Sequence, residues 1–131
     1  MVDWTVHWSD HLPPGVLGLT DYARRTVTLA LGMTQAERRS TIAHELVHIE
    51  RGPVPAAYVA REERIVDVIT ARQLVDFHEL VDAMVWSLDE HEIADALWVD
   101  PAVVVVRLRT LTPLEAAVLN QRLDDAELLL P

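Results

Sequence analysis

His44-Glu45-Leu46-Val47-His48 sets two imidazoles four residues apart and a carboxylate beside the first. Four residues is slightly more than one helical turn, so in a helix both imidazoles project from one face and can share a Zn²⁺, with Glu45 next to the open coordination position. The chemistry that follows is metal-assisted hydrolysis. An ion held this way brings the pKa of a bound water toward neutrality, and the neighbouring glutamate removes the proton. Two imidazoles and a water leave a tetrahedral site one ligand short. The chain has no cysteine, which excludes thiolate ligands and disulfides and leaves His, Asp or Glu to complete the site.

The next helical stretch offers three acids. Glu63 and Asp67 are four apart on one face, with Thr70 continuing the line. Asp67 is flanked by Ile65, Val66, Val68 and Ile69, and an acid in so apolar a stretch is costly unless paired or ligated, so burial of Asp67 is expected. The favoured arrangement has Glu63 as third metal ligand. Asp67 then accepts from the other ring N–H of His44 or His48 and fixes its tautomer. Glu62 competes for the ligand position, but its helical neighbours Ile65, Val66 and Ile69 give it no polar companion on its own face. The ranking is Glu63, then Asp67, then Glu62. Tyr58 and His78 are candidate donors to a developing oxyanion, because both lie near this helix in sequence and can donate hydrogen bonds.

These side chains need elements to position them. Trp4, Val6 and Trp8 alternate with Thr5 and His7, and Val27, Leu29 and Leu31 alternate with Thr26, Thr28 and Ala30, the period of half-buried strands. Residues 16–20 form a third strand that pairs with 26–31 through a turn at 21–25. Together these predict a small antiparallel sheet over residues 1–33, interrupted by Pro13-Pro14-Gly15. Thr34-Gln35-Ala36-Glu37 is a capping box that starts a helix running to about Arg51, where Gly52-Pro53 stops it. A second helix runs from near Pro55 to about Val75 and is expected to cross the core. Helices follow at 76–86, 89–98, 101–109 and 113–122, with a short final turn. Asp100-Pro101 and the capping box of Thr112-Pro113-Leu114-Glu115 start two of them. The fold class is therefore α+β: the sheet packs on the His-bearing and Glu-bearing helices, and a bundle of short helices follows. The 131 residues read as one metallopeptidase-like domain in three parts: 1–33, 34–75 and 76–131.

Lys and Arg total 11 against 21 Asp and Glu, a net charge of −10, the wrong sign for binding a phosphate backbone directly. No run approaches the roughly 20 apolar residues that span a bilayer, so a cytoplasmic protein is expected. His78-Glu79-Leu80-Val81-Asp82 and His91-Glu92-Ile93-Ala94-Asp95 repeat the first half of the metal motif with Asp in the last place. In a chain this rich in acids they read as surface features. His7 and His11 carry no spacing signal.

Residues 34–51, leading into Thr41-Ile42-Ala43-His44-Glu45-Leu46-Val47-His48, resemble the active-site helix of the ImmA/IrrE zinc metallopeptidases, especially their small actinobacterial-phage members. The preceding hairpin and the following Glu-bearing helix are in that family's order. The likeness extends through Leu88 to Leu111, where many members carry a helix-turn-helix-like segment. It covers most of the chain, with the H-E-x-x-H core its one strongly specific part. It implies Zn²⁺-dependent cleavage of a helix-turn-helix repressor, with His44 and His48 as ligands and Glu45 as catalytic base. The family's Glu-Ala-Asn-like stretch here reads Glu63-Arg64-Ile65-Val66-Asp67, a spacing similar to the ligand-and-support pair of gluzincins. That departure leaves Glu63 and Asp67 both open as ligand. In the helix-turn-helix-like segment Trp98 stands where such turns often carry Gly, and five acids outnumber Arg107 and Arg109. It reads as a packing or partner-protein surface rather than a DNA reader. The alternative function is a non-catalytic module that binds a repressor or toxin partner around a structural or vestigial metal.

Overall fold

A computed structural model describes residues 3–128. The chain is α+β and divides into two compact units, Met1–Thr70 and Ala71–Pro131.

The first unit begins with strands β1 (Thr5–Ser9), β2 (Gly18–Asp21) and β3 (Thr26–Ala30). β2 and β3 form the expected antiparallel hairpin, with Gly18 opposite Leu29 and Asp21 opposite Thr26. β1 departs from expectation. It pairs parallel to β3, Thr5 with Thr26 through Ser9 with Ala30, so the sheet is mixed with order β1-β3-β2 rather than antiparallel throughout. β3 carries the buried residues Val27 and Leu29 and takes the centre, while the connection through Pro13-Pro14-Gly15 lets the chain cross from one edge of the sheet to the other. β1 also buries neither of its faces. Val6 and Trp8 are about half exposed, as befits an edge strand, and the Arg38 guanidinium stacks 5.3 Å from the Trp8 ring. Val27, Leu29 and Met33 form the unit's apolar cluster, with Trp4, Leu17, Ala30 and Ile49 against it.

Helix α1 (Gln35–Arg51) starts at the predicted cap. The Thr34 hydroxyl accepts from the Glu37 N–H, and the Glu37 carboxylate accepts from the Thr34 N–H. It ends at Gly52, whose φ of +84° few other residues adopt at low cost. A short 3-10 turn at Ala56–Tyr58 leads into α2 (Val59–Leu74), which spans the boundary between the units. α2 does not run through the core apolar on all sides. Glu62, Val66, Thr70 and Ala71 form its buried line, Ile65, Val68 and Ile69 are half-buried, and Asp67 is exposed.

The second unit holds α3 (Phe77–Trp86), α4 (Glu90–Leu97), α5 (Pro101–Arg109) and α6 (Pro113–Leu128) around Val75, Leu80, Ile93, Ala94, Val99 and Val104. Asp76, Asp89 and Asp100 cap the first three by accepting N–H groups of the first turn, and Thr112 with Glu115 forms the predicted box on α6. α6 runs on past 122, where a stop and a final turn were expected. Neither Gly nor Pro interrupts it, and Gln121 Nε2 donates to Asp125 Oδ1 one turn on, at 2.9 Å. The part of that expected turn at 129–131 lies outside the described residues. Trp98 takes the left-handed conformation between α4 and α5, φ 60° and ψ 46°, the place a glycine would take. Arg107 is buried on α5. Its guanidinium donates to Val75 O and to Glu115, so the helix keeps Arg109 as its exposed cation. No helix among the described residues is long and apolar enough to cross a membrane.

Candidate metal centre

The capped α1 carries His44 and His48 in its last two turns, and α2 brings Glu63 and Asp67 to the same face. His44 Nε2 and His48 Nε2 lie 3.2 Å apart. One Glu63 oxygen is 3.1 Å from His44 Nε2 and the other 3.0 Å from His48 Nε2. Asp67 Oδ1 sits 3.2 Å from His44 Nδ1, the ring nitrogen turned away from this cluster. A proton on Nδ1 shared with Asp67 leaves Nε2 as a lone pair, so Lewis bases from three residues converge on one point. Separations of 3.0–3.2 Å are close to the edges of a tetrahedron whose centre is about 2 Å from each vertex, the distance at which zinc binds imidazole and carboxylate. His44, His48 and Glu63 could therefore hold a metal ion, and among the described residues they are the one such group of three.

Glu45 is buried, on the side of α1 that meets β2. The Thr20 hydroxyl donates to Glu45 Oε2 at 2.5 Å, in the range of charge-assisted O–H···O⁻ bonds. Gly18 makes this approach possible. A Cβ there would stand 2.8 Å from Thr41 Cγ2 and 3.0 Å from Glu45 Oε1. The Tyr22 hydroxyl donates to the His48 carbonyl at 2.7 Å, tying the end of β2 to the last turn of α1. Burial raises the Tyr22 pKa, and the carboxylates of Glu45, Glu62 and Glu63 raise it further, so its proton stays on. A cleft of about 240 Å³ opens on Glu45, His48, Glu63, Thr20 and Tyr22.

One expectation about the acids is corrected. Asp67 is not buried: its side chain is 48% exposed, because its sequence neighbours point to other faces of the helix. Burial against charge still nudges its pKa up, opposed by His44 and reinforced by Glu63. The buried acid is Glu62, 8% exposed, and its polar partner comes from another helix rather than from its own face. Arg51 of α1 forks onto it, Nε to Oε2 at 2.6 Å and Nη2 to Oε1 at 2.9 Å, and these hydrogen bonds hold the carboxyl below its ordinary range. Glu62 is thus engaged by Arg51 and is absent from the ligand cluster.

The oxyanion candidates are not in the cleft lining. Tyr58 is 53% exposed and lines a separate cavity with Arg51, Val54 and Glu62. His78 is exposed on α3, with its ring edge to Phe77. Tyr22, Thr20 and Gly18 were missed. Only Gly18 left a sequence signal, an isolated glycine inside a strand, which marks a close backbone approach. Comparison with family models, curated proteins and solved structures finds no match to the chain.

Proposed function

We propose that the chain is a Zn²⁺-dependent endopeptidase of the ImmA/IrrE kind, acting on a protein substrate, a helix-turn-helix transcriptional repressor. The observation that carries the reading is the convergence of His44 Nε2, His48 Nε2 and the Glu63 carboxylate within 3.0–3.2 Å, with His48 and Glu63 lining one cleft with the buried Glu45. A bound zinc ion would supply Lewis acidity, polarising the scissile carbonyl and bringing water within reach of a carboxylate base at neutral pH. The chain's own residues do the rest. Glu45 takes a proton from the attacking water and gives it to the leaving amine, while Thr20 fixes which carboxylate oxygen is free to do so. Asp67 holds the His44 ring in register, and Tyr22 anchors the turn that carries His48. β2 is an edge strand and lines the cleft through Gly18, Leu19 and Thr20, which suits an extended peptide laid alongside it. The repressor as substrate rests on the resemblance of residues 34–51 and on the charge of −10, complementary to a basic DNA-binding protein.

The test pairs metal analysis with cleavage. Protein purified without chelator is expected to carry about one zinc per chain, and wild type but not Glu45→Gln should cleave a co-expressed helix-turn-helix repressor, a loss on the order of 10²–10⁴-fold. Zinc retained in Glu45→Gln ties that loss to the base. Tight repressor binding with no cleavage by wild type would replace this reading with a binding module.

A further inference from the structure

The cleft that opens on Glu45, His48 and Glu63 is also lined by side chains with no part in the proton transfers. Most are apolar: Leu19 of β2, Pro53 and Val54 between α1 and α2, and Val59 at the head of α2. Among them lies Glu62, a carboxylate already held at both oxygens by the Arg51 fork. Glu62 and Val54 also line the neighbouring cavity, of about 320 Å³, to which Arg51, Tyr58 and Arg61 belong. The ion pair is therefore a partition. On one side is the cleft with the metal ligands, on the other a cavity with two guanidiniums.

We propose that the Arg51–Glu62 pair determines the substrate preference of the cleft, walling it off from the neighbouring cavity and cancelling the Glu62 charge so that the side chain seated beside the scissile bond is apolar and uncharged. This rests on the peptidase reading. At about 240 Å³ the cleft is smaller than the usual small-molecule site and suits a single side chain. A free carboxylate among apolar walls selects a lysine or arginine, because the buried charges pair. With the Arg51 fork on both oxygens, Glu62 has no uncompensated charge to offer, and a cationic side chain seated against it would lose hydration without gaining a free counter-charge there. A leucine or methionine side chain loses no hydration of that kind and buries its apolar surface. Arg51 contributes by what it withholds: it sits beyond the partition and sets the cleft's selectivity through Glu62.

The zinc-loaded full chain is titrated calorimetrically with two peptide hydroxamates that differ only in the side chain next to the chelating group, leucine in one and lysine in the other. Wild type is expected to bind the leucine probe at least tenfold more tightly. Arg51→Met frees the carboxylate and should bring that ratio to one or reverse it. Should Arg51→Met fail to fold, Arg51→Lys serves instead: a point charge cannot fork both oxygens, and the lysine probe should gain several-fold. Equal binding of the two probes by wild type overturns the inference and leaves the metal site standing, as does a ratio unchanged in a folded Arg51 variant. Failure of both probes to bind the zinc-loaded chain overturns the peptidase reading, which needs an open position on the metal, and the inference with it.

Discussion

Three helices carry histidine followed by glutamate, with a possible metal ligand four residues after the histidine: His44 to His48 on α1, His78 to Asp82 on α3, His91 to Asp95 on α4. In α3 and α4 the pair falls in the first turn. Asp76 and Asp89 cap these helices, and the N–H groups of Glu79 and Glu92 donate to the caps, so both glutamates sit where an acid favours a helix start. Their side chains are exposed, and among the described residues Asp82 pairs with Arg122, at 3.8 Å. On α1 the pair comes nearly three turns after the cap, on a face that packs against other elements. There α2 supplies Glu63 and Asp67, and β2 supplies Thr20. Spacing along one helix creates a pair; a second element makes the pair a site.

The largest effect that could break this comparison is loss of metal. His44→Ala or His48→Ala removes one of three ligands, and zinc content should fall from about one per chain to near zero by elemental analysis. The converse substitution is Asp82→His, which completes the H-E-x-x-H pattern on α3. With no acid brought to it, α3 should gain no zinc, and a second stoichiometric equivalent would show that spacing alone suffices. A smaller effect tests the support to the ligands. Asp67→Asn keeps the shape but weakens the acceptor for His44 Nδ1–H, and zinc affinity measured by competition with a chelator should drop about 10- to 100-fold. An unchanged affinity would mean that Asp67 is only a half-exposed acid.

What could be read without coordinates follows the same division. The Thr34–Glu37 box, the Gly52 stop, Asp100-Pro101 and the Thr112–Glu115 box are contacts within four residues, so α1, α5 and the start of α6 were legible. So was the β2–β3 hairpin, whose turn is local. The α+β class, the face shared by His44 and His48 on α1 and the face shared by Glu63 and Asp67 on α2 follow from periodicity, while the meeting of the two faces is a tertiary contact. The side of β3 on which β1 lies is a long-range choice, and sequence adjacency does not decide it. Glu62 shows the same limit. Its own helix offers it only Ile65, Val66 and Ile69, and its partner is Arg51, eleven residues away on another helix. Tyr22 and Thr20 meet α1 more than twenty residues downstream, and their residue types carry no mark of it.

The smallest expected effect concerns what acids do away from the metal. Glu115 of α6 accepts from Arg107 Nη2 at 2.7 Å, from Arg72 Nη2 at 3.3 Å and from the Thr112 N–H at 2.9 Å. The Arg107 hydrogen bond is the main reason its pKa falls from 4.5 to about 2. A carboxyl depressed in the folded state adds stability that is complete above the unfolded value, near 4.5, and is lost as pH falls through the folded value, near 2. With metal stripped from both proteins, wild type should melt above Glu115→Gln at neutral pH, and the difference should shrink steadily between about pH 4.5 and 2. A gap that persists at the acid end would mean that the difference does not come from the charge Glu115 offers Arg107. A gap that closes would set the charge-bearing acid of the helical unit, which holds an arginine, against Glu63, which faces two imidazoles.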